Sequence, residues 1–278
     1  MGRWLAIGGL CLLAGCGTDW RIEPCVGEGE DTCRFETITV DGRERGYVVS
    51  RRGGFDCSGG ERPIVLAFHG NGGNGAALRE SLNDAARGLA FEEVVGGRAL
   101  VVYPDGLDHS DCDGHACWNR DPEGYDVAFV QALIARLAAD YCVDPSQVFV
   151  LGHSRGGRFV EVLACHRGGA LRAAASISAG GGNVDACPDR LPMWLSHGVH
   201  DQTIAFAEGE AHRDDWAARN GCAPATSVDY PLDTCTTLAG CPDASPVVWC
   251  PNTERDWEGH AIPSFADEAI VSFFSSTP

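Results

Sequence analysis

Positive charge is scarce in this chain: 21 Lys and Arg stand against 39 Asp and Glu, giving a net charge of -18 and a pI near 4.7. Such a surface repels phosphate backbones and anionic lipid, which excludes nucleic acid as a partner and any purely electrostatic attachment to a membrane. Long hydrophobic runs are missing too. The most apolar stretch near the start, residues 5–14, is too short for a comfortable spanning helix. There is no internal repeat and no low-complexity segment, which excludes repeat architectures. His109, Asp111, Cys112, Asp113, His115 and Cys117 are dense in ligand types, but their spacing matches neither a zinc knuckle nor a calcium loop. A disulfide-braced surface loop is expected there instead, and no metal or cofactor. What is present is a globular composition, 44% hydrophobic and 22% charged over 278 residues, enough for one large core.

Residues 1–15 read as a targeting signal, with Arg3 as the positive n-region and an apolar segment ending Leu13-Ala14-Gly15-Cys16. That ending resembles a bacterial lipobox, in which Cys16 would become the lipidated first residue of the mature chain and its only tie to a membrane. Both this reading and an ordinary cleaved signal place the protein outside the cytoplasm. Cysteine usage agrees, because twelve of the 14 Cys remain after Cys11 and Cys16 are set aside. An even, large number in an exported chain implies disulfides. Cys25/Cys33, Cys112/Cys117 and Cys235/Cys241 are close enough for local bridges. Residues 16–35 form a short disulfide-tied lead-in, and 36–278 a single catalytic domain, expected as a monomer.

Strands and helices alternate along the rest. Residues 37–40 and 47–50 flank Asp41-Gly42 as a hairpin, and the apolar runs 63–68 and 99–103 read as strands buried on both faces. Residues 76–90 have helical composition. Val127, Val130, Leu133, Ile134, Leu137 and Tyr141 follow helical spacing over 126–141, and Asp144-Pro145 breaks the chain before the next strand. Further strands are expected at 173–178, 192–196 and 246–250, and helices at 208–219 and 264–274. Residues 221–245 read as one long disulfide-braced loop. The pattern predicts a mainly parallel, doubly wound sheet with helices on both faces.

The most informative stretch is Val148 to Gly157, VFVLGHSRGG: a strand, a glycine-flanked turn carrying Ser154, and a segment able to be helical to about Cys165. That is the context a nucleophile elbow requires. A hydrolytic serine needs a base, and the base an orienting acid, in the chain order Ser, Asp or Glu, His. Asp201 follows the strand at 192–196, and His260 lies after the last strand in Gly259-His260-Ala261-Ile262-Pro263. Asp105 is the alternative acid. His153 and His197 could compete as bases, but adjacency to Ser154 or to the acid strand places them badly. The oxyanion donors would be the N–H of Arg155 and that of Asn71 or Gly72, in the glycine-rich turn after Phe68. Trp118 and Trp257, in loops near these elements, are the better aromatic candidates for lining a substrate, beside His69, His153 and Ile262.

At this point the chain resembles the exported esterases of the polyhydroxybutyrate depolymerase and feruloyl esterase group, within the α/β-hydrolase fold. The matching pieces are PIVLAFHGNGGN, VVYPDG, CWN at 117–119, DVAF at 126, VFVLGHSRGG, HGVHD, RNGC at 219–222 and GHAIP. The resemblance implies the triad Ser154, Asp201 and His260 and extracellular ester substrates, either hydroxyalkanoate polyesters or hydroxycinnamate esters. The chain departs from the group at Ile262, where an aromatic is frequent, and at Ile204-Ala205-Phe206, where Val-Pro-Tyr is.

Two other classes compete. Residues 70–75 match G-x-G-x-x-G between a strand and a helix, the fingerprint of a dinucleotide-binding oxidoreductase, but the acidic residue expected after the next strand is missing. A non-catalytic surface binding lipoprotein on a hydrolase scaffold is the other, opposed by the intact Ser, Asp and His.

Overall fold

The computed structural model describes residues 33–52, 55–181, 187–223 and 232–277. The signal, Cys16 and Cys25 lie outside them. A nine-stranded sheet runs in the order β1-β2-β4-β3-β7-β8-β9-β11-β10. Its strands are β1 (Cys33–Val40), β2 (Arg43–Ser50), β3 (Arg62–Phe68), β4 (Leu100–Pro104), β7 (Val143–His153), β8 (Ala173–Ile177), β9 (Met193–Gly198), β10 (Thr236–Thr237) and β11 (Val247–Asn252). A separate two-stranded ribbon, β5 (Leu107–Asp108) and β6 (Ala116–Cys117), sits beside it. The pairs from β4 through β3, β7, β8 and β9 to β11 are all parallel, and the antiparallel pairs of this sheet are β1–β2, β2–β4 and β10–β11 at its two edges.

Alternation along the strands divides the core into two layers. On β3, Ile64, Leu66 and Phe68 face one side with Val148 and Val150 of β7 and Trp249 of β11. Helices α3 (Tyr125–Asp140), α4 (Arg155–Arg167) and α5 (Phe206–Asn220) cover that side. Val65 and Ala67 face the other, with Phe149, Leu151, Ala175 and Trp194, under α1 (Gly75–Leu82), α2 (Phe91–Val95) and α6 (Ala266–Ser276). The doubly wound sheet with helices on both faces is therefore as expected.

Several local expectations need correction. The helix read over 76–90 is broken, because Asn83 turns its side chain onto the backbone, donating to Arg79 O at 2.8 Å and accepting from Glu92 N at 2.9 Å. Asp84 likewise accepts from Ala86 N at 3.0 Å, and such local bonds compete with helix continuation. Asp144-Pro145 does not interrupt the nucleophile strand. β7 carries it as an irregularity between the pairs Arg62–Val143 and Ile64–Val148. β1 starts at Cys33, inside the expected lead-in, because its register with β2 extends to Cys33–Ser50.

The disulfides among the described residues are Cys57–Cys142, Cys112–Cys117, Cys165–Cys187, Cys222–Cys241 and Cys235–Cys250. The local bridge at 112–117 is as expected, and the one between 235 and 241 is not. β10 pairs Thr236 with Trp249, which sets Cys235 against Cys250, while Cys241 lies in the loop that returns to Cys222 after α5. A non-reducing peptide map is expected to recover the 235–250 and 222–241 pairs. Replacing Cys235 and Cys250 together by Ala should lower unfolding stability by about 3 kcal/mol, the scale for a loop of this length, measured by urea titration.

Candidate functional site

The site forms where parallel strands deliver their C-terminal ends to one edge of the sheet. β7 ends at His153, and α4 begins at Arg155, leaving Ser154 alone to make the reversal. It does so at φ 55° and ψ -120°, a strained conformation for a residue with a side chain. The Ser154 N–H donates to Ile177 O at 2.8 Å, and its carbonyl accepts from Arg158 N at 3.0 Å. The flanking glycines are sterically required. A Cβ on Gly156 would overlap the carbonyl of Phe68, and one on Gly152 would overlap the carbonyl of Gly156.

Because β3 neighbours β7, the glycine-rich turn after Phe68 lies against the elbow. A Cβ on Gly70 would sit 3.2 Å from Ser154 Cβ. Of the two N–H groups left open by the sequence, that of Gly72 is already committed to Ala116 O at 2.8 Å. That leaves Asn71 as the candidate to pair with Arg155. His69 braces this turn from below: it is buried, its Nε2 accepts from Gly106 N at 2.8 Å, and its Nδ1–H donates to Gly70 O at 2.7 Å. Both ring nitrogens are thus committed to backbone, so His69 lines the cavity as a brace. Trp118, expected to face substrate, is fully buried instead. Its indole N–H donates to His69 O at 2.9 Å and its ring stacks on Phe159 at 5.1 Å, an arrangement that fills the core behind the turn.

β9 and β11 are adjacent, which brings their following loops together. Asp201 Oδ2 lies 2.7 Å from His260 Nδ1, and Oδ1 accepts from Thr203 N at 2.9 Å and Ile204 N at 2.8 Å. Burial works to raise the Asp201 carboxyl. Hydrogen bonds from His197, Ile204 N–H and His260 outweigh it and hold the group at about 2. These backbone donors were not read from the sequence, although Asp-x-Thr is the signature of an Asx turn. His153, adjacent to Ser154, bonds through Nε2 to His260 O at 2.7 Å and so supports the His260 loop. Asp105 is engaged elsewhere, accepting from Gly75 N at the start of α1 at 2.7 Å. That carboxylate occupies the helix terminus where a dinucleotide pyrophosphate would have to sit. In the 109–117 loop both thiols are consumed by the Cys112–Cys117 bridge, and His109 is turned inward on Asp111 N and Asn119.

Ser154, His153 and His260 line one cavity of about 420 Å³. Its other walls include the turn 70–74, Thr203, Trp257 and Ile262, together with Ala77, Leu78 and Ser81 of α1, which the sequence did not suggest. Trp257 is 67% exposed at φ 49°, and with Glu258 and Gly259 it makes three successive left-handed residues directly before His260. The cavity thus holds a hydroxyl on a tight turn and a carboxylate-oriented imidazole, with aromatic surface on its wall.

The comparisons agree with this architecture. Feruloyl esterase D of Neurospora crassa is 29% identical over 238 residues, covering 80% of this chain and 78% of that protein. Feruloyl esterase C of Emericella nidulans is 29% identical over 201 residues, covering 69% and 67%. The chain is similar in sequence to feruloyl esterases and carries the α/β-hydrolase fold. Among solved structures, the acetyl xylan esterase of Aspergillus awamori superposes with a TM-score of 0.64 at 16% identity, over 88% of this chain and all of that one. A CE1 ferulic acid esterase from Anaeromyces mucronatus, solved with ferulic acid, gives 0.59 at 15% identity, over 88% and 90%. At such identities these two establish the fold. No protein-family model matches the chain.

Burial holds the imidazoles of both His69 and His153 down at about 4, from an ordinary 6.5. A histidine depressed in the folded state contributes stability that is complete above its unfolded pKa near 6.5 and is lost as the pH falls through 4. Each therefore costs about 3 kcal/mol over that window, at 1.36 kcal/mol per unit. Urea unfolding between pH 7 and pH 4 should show stability falling, and His69→Gln should reduce the fall. Identical slopes for the two proteins would remove buried neutral His69 as a cause.

Proposed function

We propose that this protein is a serine carboxylic ester hydrolase working through an acyl-enzyme, with Ser154 as nucleophile, His260 as base and Asp201 as its orienting acid. The observation that carries the reading is the 2.7 Å Asp201–His260 bond, with His260 opening into the same cavity as the Ser154 elbow. Ser154 Oγ adds to the ester carbonyl as His260 Nε2 takes its proton. The tetrahedral oxyanion is met by the N–H groups of Arg155 and Asn71, and His260 returns the proton to the departing alcohol. Water then enters on the same base and releases the acid. Asp201 stays ionised throughout, as its depressed pKa favours.

For the acyl group, hydroxycinnamate esters are favoured over hydroxyalkanoate polyesters by two features. The relatives described above are feruloyl esterases, and Trp257 offers a solvent-facing ring on the cavity wall. Ile262 supplies apolar wall beside it. The disulfides fit an extracytoplasmic location, and the Leu13–Cys16 motif supports attachment through a lipid on Cys16.

Purified protein is expected to hydrolyse p-nitrophenyl butyrate and to be labelled at Ser154 by a fluorophosphonate. Ser154→Ala and His260→Ala should each lose on the order of 10⁶ in kcat. Undiminished turnover in the Ser154 variant would overturn the nucleophile, and an inert wild type would favour the binding-protein reading. On methyl ferulate, Trp257→Ala should raise KM about 3–10-fold, the scale of one aromatic pair, with little effect on p-nitrophenyl acetate. Preferential cleavage of a 3-hydroxybutyrate oligomer by the wild type would reverse the substrate assignment.

A further inference from the structure

One buried histidine beside the triad has no role in the mechanism above. His197, the fifth residue of β9, is fully enclosed, and its Nε2 lies 3.0 Å from Ile204 O and 3.4 Å from Asp201 Oδ2. A carbonyl and a carboxylate are both acceptors, so Nε2 carries the proton and shares it between the two ends of the 201–204 turn. Asp201 Oδ2 therefore faces two imidazoles, while Oδ1 is taken up by Thr203 and Ile204 N–H. The ring has little freedom to move. Gly209 of α5 approaches so closely that a Cβ there would lie 2.5 Å from His197 Cγ, and Phe206 meets the ring at a centroid distance of 6.2 Å.

The charged groups on the far side are accounted for. A void of about 10 Å³ is lined by His197, Glu161 of α4, His212 of α5, Ser176, Ser196 and Trp249. Glu161 accepts from His212 Nδ1 at 2.9 Å, Arg158 Nη1 at 3.1 Å and Ser176 Oγ at 2.8 Å. That cluster saturates its own carboxylate, so the charge paired with His197 is the one on Asp201.

We infer that His197 is a positioning residue for the reaction. Its N–H fixes the plane of the Asp201 carboxylate so that Oδ2 meets His260 Nδ1–H. The inference rests on the Ser154–His260–Asp201 reading. Without the His197 donor the carboxylate directs more of its charge at His260 Nδ1–H, and the acid limb of the kcat/KM profile moves to higher pH. The freed carboxylate also turns, which lowers kcat.

The test compares His197→Leu, His197→Gln and His197→Asn with wild type on p-nitrophenyl butyrate across pH 4–9, each normalised by fluorophosphonate titration of active sites. The Gln amide can place an N–H where the imidazole Nε2 lies, and the shorter Asn amide cannot. The Leu variant should lose on the order of 10–100-fold in kcat, the scale of a sub-ångström misplacement, with KM within about twofold and the acid limb raised. The Gln variant should restore most of kcat and the wild-type limb, and Asn should not. If Leu yields no folded protein, the contrast between Gln and Asn carries the same expectation. A normalised Leu variant with unaltered kcat and limb, or Gln and Asn variants that behave alike, would overturn the role of His197 while leaving a labelled, active Ser154 in place. Absence of wild-type labelling would overturn the underlying triad as well.

Discussion

The structure depends on how closely the start of one helix approaches the end of a strand. Where α4 leaves β7, its first turn presses on the end of β3, and only a residue without a side chain fits between Gly156 and the carbonyl of Phe68. That proximity forces Ser154 into its left-handed, strained conformation and keeps the glycine-rich turn after β3 within van der Waals reach of the elbow. Ser154 and the candidate oxyanion donors are thus placed by backbone packing, before any side-chain chemistry is considered. Strain of this kind persists only where surrounding structure over-determines it. Here the Ser154 N–H to Ile177 bond and the start of α4 supply that determination.

Behind the turn, buried polar groups act as its scaffold. Arg45 of β2 pairs with Asp126 of α3 at 2.6 Å and donates to Asp105 O at 3.0 Å, while Asp126 accepts from Asn119 N at 2.6 Å. Asp105 in turn holds Gly75 N, and Trp118 holds His69 O. The chain segments at 45, 69–75, 105, 118–119 and 126 are linked in this way, although they lie far apart in sequence. Burying the Arg45–Asp126 pair confers no large net stability by itself, but removing one partner leaves an uncompensated charge, at about 3–5 kcal/mol. The arrangement fixes geometry more than it adds free energy.

Much of this was legible in the residues. The alternation of apolar runs with helical periodicity announced the parallel sheet, since strands covered on both faces must be apolar along their covered length, as β4 is and β3 is from Pro63 on. The elbow could be read because Gly-x-Ser-x-Gly after such a strand has few other uses. His260 and Asp201 could be placed by order along the chain. Trp118 was misread because a loop tryptophan carries no mark of the direction it points, and its indole N–H found a carbonyl inside. The 235–241 bridge failed for a similar reason: closeness in sequence competes with cross-strand register, and register prevailed.

The sequence by itself determined the layer architecture, the tight turn that carries Ser154 and the order of Ser154, Asp201 and His260 along the chain, because each is encoded in local periodicity or in a short motif with a steric reason behind it. Only the tertiary structure decided which turn amide is committed to a neighbouring carbonyl, which histidines serve as braces and which tryptophan meets solvent. It also decided that a second imidazole stands on Asp201. These outcomes depend on which side of a strand or loop is closed by a neighbour distant in the chain, and hydrogen-bond partners separated by thirty to more than one hundred residues leave no trace in local pattern.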